Sequence, residues 1–348
     1  MNRRKFIATA ATLTALPNDV IAAPSKRRVA VIGHTGRGNY GHGLDVVWQK
    51  IPGCEIVGVA DANPTGLAKA KKKFKPARGF GDYREMLHEL RPEFVSVAAR
   101  HADQHLDMAL AAIESGVKGL YVEKPFCRTP AEADQLLAAS RRRGVKIAVA
   151  HRNRYHPVLP VIGQLLKDGE IGRLLEIRGH GLGDRRGGAQ DLWVLGSHIM
   201  DMVLNLGFDP EWCFASVLTE GKPAVAADVY DGNEGIGHLA GDAVRAMYGL
   251  KQGATYSFAS YRNAGGGQTR FALRVYGSEG IIEIQENVLP EAWILQSRSW
   301  NIARGGGEWK RINSAGIDKP EPLTDPKYKR RHHVPIEDLL SAIEQQRE

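Results

Sequence analysis

Glu123-Lys124-Pro125 closes the apolar run Leu120-Tyr121-Val122, and that position makes Lys124 the first candidate for chemistry. In open α/β sheets ligands bind beyond the carboxyl ends of the strands, so a lysine there faces a crevice rather than bulk solvent. The following proline fixes the backbone as it leaves the strand and biases Lys124 toward an extended conformation. A strand-end salt bridge is the plain structural alternative. Farther along, His198 and Asp201 stand three apart, on one face of a helix that continues through Leu206. Arg185 and Arg186 lie in the polar loop 181–190 with Asp184, where guanidinium forks suit a sugar or a carboxylate-bearing substrate.

A second group of residues points to a nucleotide. The β-branched run Arg28-Val29-Ala30-Val31-Ile32 stops at Gly33-His34-Thr35-Gly36-Arg37-Gly38, and a helix is expected around Leu44 to Lys50. Strand, glycine-rich turn and helix, in that order, let the backbone approach a pyrophosphate that the helix amino terminus then stabilises. Gly33 and Gly38 fit the first and third glycines of the dinucleotide fingerprint; Thr35 stands at the second, with Gly36 available for the close approach. Asp61 ends the next strand, Glu55 to Ala60, where it can accept hydrogen bonds from an adenosine ribose. Its charge would repel a ribose phosphate, so NAD is favoured and NADP is the alternative. Asp61 also stands before Asn63-Pro64 and could cap a helix.

The elements that must position these groups follow from periodicity. Strands at 28–32, 55–60, 94–99, 120–122 and 145–150 alternate with helices at 65–74, 82–90, 103–115 and 130–143. This alternation specifies a parallel, doubly wound sheet over residues 26–150. Residues 151–348 read differently: helices at 157–168 and 191–206, then alternating strands from Trp212 to Gln296 and a final amphipathic helix from Pro335. That pattern fits an α+β domain with an antiparallel sheet covered by helices on one face.

With 348 residues, two domains are expected, and 43% hydrophobic with 25% charged residues is ordinary for a globular protein. The net charge is +8, and removing residues 1–22, with three basic and one acidic residue, leaves +6. No stripe of basic residues interleaved with aromatics suggests nucleic acid. Three scattered cysteines argue against a disulfide framework and show no metal-ligand spacing. Arg3-Arg4-Lys5, a mild apolar segment and Val20-Ile21-Ala22 before Ala23 resemble a cleavable twin-arginine export signal, too short to anchor in a membrane. A bacterial periplasmic or exported location is the expectation.

The glycine-rich turn, Asp61, His105 ahead of a helix, Glu123-Lys124-Pro125 and the following Thr129-Pro130-Ala131-Glu132-Ala133 together resemble the Gfo/Idh/MocA oxidoreductases. His151-Arg152-Asn153-Arg154-Tyr155-His156-Pro157 resembles that family's crossing into the second domain, and the likeness covers nearly all of residues 27–348. The resemblance implies that the turn residues, with Arg37 and Asp61, hold the dinucleotide. It assigns Ala99, His101, His105, Glu123 and Pro125 to the same cofactor. Arg154, Tyr155, Asp184, Arg185, Arg186, Asp191 and Asp201 become candidates for substrate binding.

It further implies that Lys124 polarises a hydroxyl while its carbon gives up a hydride. His198 matches the general base of the family's D-x-x-x-H helix, but Val194 replaces the Asp, leaving Asp191 or Asp201 as stand-ins. The family's second sheet commonly mediates homo-oligomers, and its relatives usually continue past this chain's end with a helix and strand returning to the cofactor domain. Three functions follow: a dehydrogenase of a sugar, cyclitol or glycoside hydroxyl; a redox-neutral glycosidase or lyase; and a dinucleotide-binding protein without catalysis. Export favours a tightly held cofactor regenerated in place.

Overall fold

The computed structural model describes residues 26–75, 77–265, 270–325 and 328–347. The expected export signal at 1–22 lies outside them. In the first domain β1 (Arg27–Ile32), β2 (Cys54–Ala60), β3 (Arg78–Phe80), β4 (Phe94–Val97), β5 (Gly119–Val122) and β6 (Lys146–Val149) form one parallel sheet in the order β3-β2-β1-β4-β5-β6. Helices α1 (Pro64–Lys73), α2 (Tyr83–Leu90), α3 (His105–Glu114) and α4 (Pro130–Arg143) supply the crossovers. The order reverses between β1 and β4, which places a ligand crevice at their carboxyl ends. β3, a strand not among those expected from the sequence, is three residues long and pairs with β2 through Gly58, Val59 and Ala60.

The helix expected at 44–50 is reduced to a 3-10 turn at Val47–Lys50. Gly36, Gly38, Gly41 and Gly43 all take positive φ values, which break a right-handed helix before it can propagate. Gly41 also passes so close to the sheet that a β-carbon would lie 2.9 Å from the Ala98 carbonyl and from the Glu123 carboxylate. The loop therefore folds back onto the end of β5 instead of leading into a helix.

The second domain begins with α5 (Val158–Lys167), β7 (Leu174–His180), α6 (Ala189–Val194), α7 (Gly196–Asn205), β8 (Pro210–Thr219) and the short β9 (Lys222–Pro223). A hairpin of β10 (Tyr230–Asp231) and β11 (His238–Leu239) follows. Then come β12 (Ala243–Leu250), β13 (Thr255–Tyr261), β14 (Ala272–Gly277), β15 (Ile281–Gln285), β16 (Glu291–Leu295), α8 (Ile302–Gly305), β17 (Trp309–Asn313) and β18 (Gly316–Ile317). The large sheet runs β18-β17-β16-β15-β14-β7-β13-β12-β8-β9, antiparallel except where β7 meets β13. Val158, Leu159 and Ile162 of α5 and Ile199, Met202 and Val203 of α7 cover one face over Ile177, Phe258, Leu273 and Ile282. At the other end of the sheet β8 leaves Trp212 and Phe214 exposed, with Met247 opposite Phe214 on β12.

The final helix α9 (Val334–Glu344) returns to the first domain, where Ile336, Leu339 and Leu340 pack with Phe94, Tyr121 and Ala150. The cofactor domain thus receives a helix from the chain's last described stretch.

Candidate active site

Helix α6 ends at Val194 and α7 starts at Gly196, with Leu195 between them at φ −121°. The break frees carbonyl groups that a continuous helix would use internally. One of them, that of Val194, accepts a hydrogen bond of 2.9 Å from Lys124 Nζ. The position where the resemblance calls for a carboxylate thus contributes a backbone oxygen, while its valine side chain is buried.

Lys124 is 9% exposed and sits after β5, joined to Pro125 by a cis peptide. Burial pulls its ammonium below the ordinary lysine range, aided by Arg100 and Arg186 and opposed by Glu123 and Glu234. A hydrogen bond to a charged group returns about 1.5–3 kcal/mol, while an isolated buried ion costs several kcal/mol, so one carbonyl does not compensate the desolvation. Glu123, 1% exposed, lies 3.0 Å from His42 Nδ1. Burial alone would raise its carboxyl, but the His42 hydrogen bond and the charges of His42, Lys124 and His105 hold it below its usual value.

Lys124, Glu123, His42, Arg152, His198 and His332 meet at a cavity of about 140 Å³ between the two domains, with Tyr121 and Leu195 in its wall. His198 approaches His151 edge to face at 5.3 Å between ring centres. Its imidazole is held well below the usual value by burial first, then by His151, Lys124, Arg152 and His42, so the neutral ring is available as an acceptor. His151 is pushed down to about 4 by burial, Lys124 and Arg154.

The carboxylate facing His198 is neither Asp191 nor Asp201. It is Glu286, after β15, with Oε1 3.7 Å from His198 Nδ1 and accepting 2.6 Å from Asn153 Nδ2. Burial pushes its carboxyl up to about 8, with Asn153 opposing. Asp201 pairs with Arg154 at 2.7 Å and lies 3.7 Å from His151 Nδ1; burial raises it to about 6 against the pull of Arg154.

Other expected substrate residues stand away from this cavity. Asp191 is fully buried and accepts 2.6 Å from the Ser260 hydroxyl, tying α6 to β13. Tyr155 donates to Asp338 and so fastens α9. Asp184 and Arg186 pair with each other at 2.7 Å, and Arg185 is exposed. Asp191 and Tyr155 are taken up by partners remote in sequence, which spacing does not reveal.

The cofactor residues gather along the carboxyl edge of the first sheet. A cavity of about 260 Å³ is lined by Gly33, His34, Asp61, Ala62, Tyr83, Arg84 and Gln104. Asp61 is buried there, accepting from the Thr35 hydroxyl at 2.6 Å and the Thr35 and Asn63 amides. Burial would raise its carboxyl, but these bonds hold it below the usual range. Thr35 thus positions Asp61, and Asn63, not Asp61, caps α1. The ring of Tyr40 occupies the space a β-carbon on Gly33 would need, while around Gly36 nothing lies within 4 Å.

His105 places its two ring nitrogens 2.7 and 2.8 Å from the Ala99 and Pro125 carbonyls, pinning the end of β5 to α3. Arg37 pairs with Asp103 at 2.5 Å. The expected helix amino terminus for a pyrophosphate is missing, and the amides of His34, Thr35, Gly36 and Arg37 donate within the protein. Buried polar atoms along this edge lack partners among the described residues: His101 Nδ1, Asp103 Oδ1, Gln104 Oε1 and Glu123 Oε2. Unmet donors and acceptors beside an open glycine turn fit a polar dinucleotide.

The β10–β11 hairpin crosses from the second domain to this edge. The Glu234 carbonyl accepts 3.0 Å from the Ala102 amide, and its carboxylate lies 3.4 Å from Arg100 and 3.7 Å from Arg186. His42, Glu234, Glu286 and His332 stand in no motif, and Arg152, although inside the stretch 151–157, was given no role from sequence; tertiary packing brings each of them to the site.

Residues 27–151 match the Gfo/Idh/MocA oxidoreductase family's NAD-binding Rossmann fold, and residues 161–283 match that family's C-terminal domain. D-apiose dehydrogenase of Paraburkholderia graminis is 34% identical over 125 residues, 36% of this chain and 33% of that protein. Levoglucosan dehydrogenase of Pseudarthrobacter phenanthrenivorans is 26% identical over 248 residues, 64% of this chain and 63% of that protein. The chain therefore aligns with between one third and under two thirds of these relatives' lengths. A solved levoglucosan dehydrogenase in complex with NADH and L-sorbose superimposes with a TM-score of 0.72 at 22% identity, covering 92% of this chain and 90% of that one, which establishes a common fold. Two adjoining family domains, in the order and with the sheet architecture seen here, place this chain in the Gfo/Idh/MocA oxidoreductase family.

Proposed function

We propose that the protein is an NAD-dependent dehydrogenase acting on a hydroxyl of a sugar, cyclitol or glycoside. The observation that carries this is the buried ammonium of Lys124, held at the seam of the two domains in the cavity that also contains His198. When bound, the nicotinamide supplies the hydride acceptor. Lys124 donates to the reacting oxygen and stabilises negative charge as it develops there. The neutral ring of His198 accepts the hydroxyl proton, and Glu286, bridged to Asn153, orients that ring.

The Glu234 strap favours a second, finer reading. It ties the substrate domain to the cofactor edge at Ala102 and Arg100, which supports a dinucleotide retained through successive turnovers. Oxidation followed by return of the hydride in the same site would then allow transfer between two sugars, or a redox-neutral glycosidase or lyase cycle. The exposed Trp212, Phe214 and Met247 support a homo-oligomer formed through the second sheet, since large apolar groups clustered on one face mark an interface. Arg3-Arg4 and Val20-Ile21-Ala22 support export by the twin-arginine route.

Native mass analysis of the full chain tests retention and assembly together. The expected result is an oligomer carrying one NAD per chain, dissociated to cofactor-bearing monomers by Phe214→Glu. Monomers without dinucleotide would contradict both.

Glu286 generates a pH prediction. Its carboxyl titrates near 8 in the fold against an ordinary 4.5. Between those values the folded state holds a proton that the unfolded chain has lost, so stability falls as pH rises, by at most about 1.4 kcal/mol per pH unit. Glu286→Gln removes that slope, and its Tm should climb relative to wild type across this window. A constant Tm difference would contradict the assignment.

Replacing Arg3 and Arg4 by lysine should keep the protein in the cytoplasm of an expressing bacterium while wild type is found outside it. Equal distribution of the two would refute export by this route.

A further inference from the structure

The cations around the interdomain cleft are mostly neutralised. Arg154 pairs with Asp201, Arg186 with Asp184, Arg100 with Glu234 and Arg37 with Asp103. Arg152 differs. It lines the same 140 Å³ cavity as Lys124 and His198, and among the described residues it has no ion pair. Its sole side-chain hydrogen bond there is 3.4 Å, from Nη1 to His332 Nε2. A guanidinium offers five N–H donors in a rigid fork, so most of its capacity is unspent.

A further cation, Arg331, stands nearby, next to the neutral ring of His332. His332 also lines an adjoining cavity of about 260 Å³ with Lys50, Arg331 and His333, and Arg331 spends one donor on the Val288 carbonyl. Burial together with Arg152, Arg331, His333 and His42 pushes His332 down to about 4, and burial together with Arg152 lowers Arg331. Glu286, the nearby carboxyl group, holds its proton up to about pH 8 and does not offset these cations at neutral pH. Glu123 in the same cavity wall is bonded to His42, so the Arg152 fork itself has no anionic partner among the described residues, and a half-buried guanidinium gains from a ligand that supplies one.

We propose that the substrate carries an anionic group, a carboxylate or a phosphate, which Arg152 binds at the wall of the reaction cavity. The inference rests on the cavity being the sugar site and adds to it the class of sugar: a hexuronate or aldonate, or a sugar phosphate. Arg152 is a specificity determinant, with His332 and Arg331 guiding the anion through the adjoining opening. A bidentate fork favours a planar carboxylate or two phosphate oxygens over any neutral hydroxyl.

The test measures binding of a hexuronate, a hexose phosphate and the neutral hexose of the same configuration to the full-chain protein as purified. Calorimetry and thermal shift are used, so that the readout does not depend on turnover. Wild type should bind one of the anionic sugars on the order of 10–100-fold more tightly than the neutral one, as expected for a charge-assisted pair; which one wins separates carboxylate from phosphate. Arg152→Met should abolish that preference, and Arg152→Lys should keep part of it. Equal affinity for neutral and anionic sugars, no anion binding in wild type, or a preference untouched by Arg152→Met overturns the proposal. A protein that retains NAD and oxidises the neutral hexose without anion preference would overturn this inference alone. Arg152-dependent anion binding without retained dinucleotide would support it while counting against the dehydrogenase.

Discussion

Desolvation of one ammonium organises the molecule. Lys124 leaves β5 into a seam where Glu123, a broken helix of the second domain and two histidines enclose it, and among the described residues its nitrogen has a single fixed acceptor, the Val194 carbonyl. That acceptor exists because α6 and α7 are interrupted at Leu195. The two domains therefore meet at a polar contact whose energy is poor for stability and good for chemistry. A lysine with a lowered proton affinity gives its proton more readily to an oxygen that becomes negative. Glu123 is secured from the other side by His42, which reaches it because the glycine-rich loop turns back instead of forming a helix.

Alternation of apolar strands and amphipathic helices made the first sheet legible, since each parallel strand is buried on both faces and reads as a continuous apolar run. Lys124 and Asp61 were legible for the same reason: they end such runs. His198 was legible through helical spacing. The helix after β1 was misjudged because Leu44, Val47 and Trp48 are buried at helix-like intervals although the glycines before them prevent propagation. Asp191 looked available for catalysis, yet its nearest partner is Ser260, 69 residues away. Glu286 illustrates the opposite case, a residue at a strand end with no motif around it that long-range folding brings to His198 and Asn153.

The replaced carboxylate has consequences beyond one position. With valine at 194, the carboxylate that the family resemblance calls for one turn before His198 is absent, and Glu286, its carboxyl pushed up to about 8 by burial, faces His198 from the end of β15. That position carries no negative charge, and Arg152 and Arg331 stand nearby as cations. Burial is the main cause that lowers both Lys124 and His198, and neighbouring cations add to it. An anionic sugar would supply Arg152 with a counter-charge, while the Glu234 strap keeps the cofactor edge and the substrate domain in register.

The most direct measurement compares wild type and Lys124→Met, both loaded with NAD, in a single turnover with the preferred sugar, followed by the absorbance of the reduced nicotinamide. With Lys124 as the group that polarises the reacting oxygen, wild type reduces its cofactor and the variant is slower by on the order of 10²–10⁴, with NAD still bound. Equal rates of cofactor reduction in the two proteins would contradict the role assigned to Lys124.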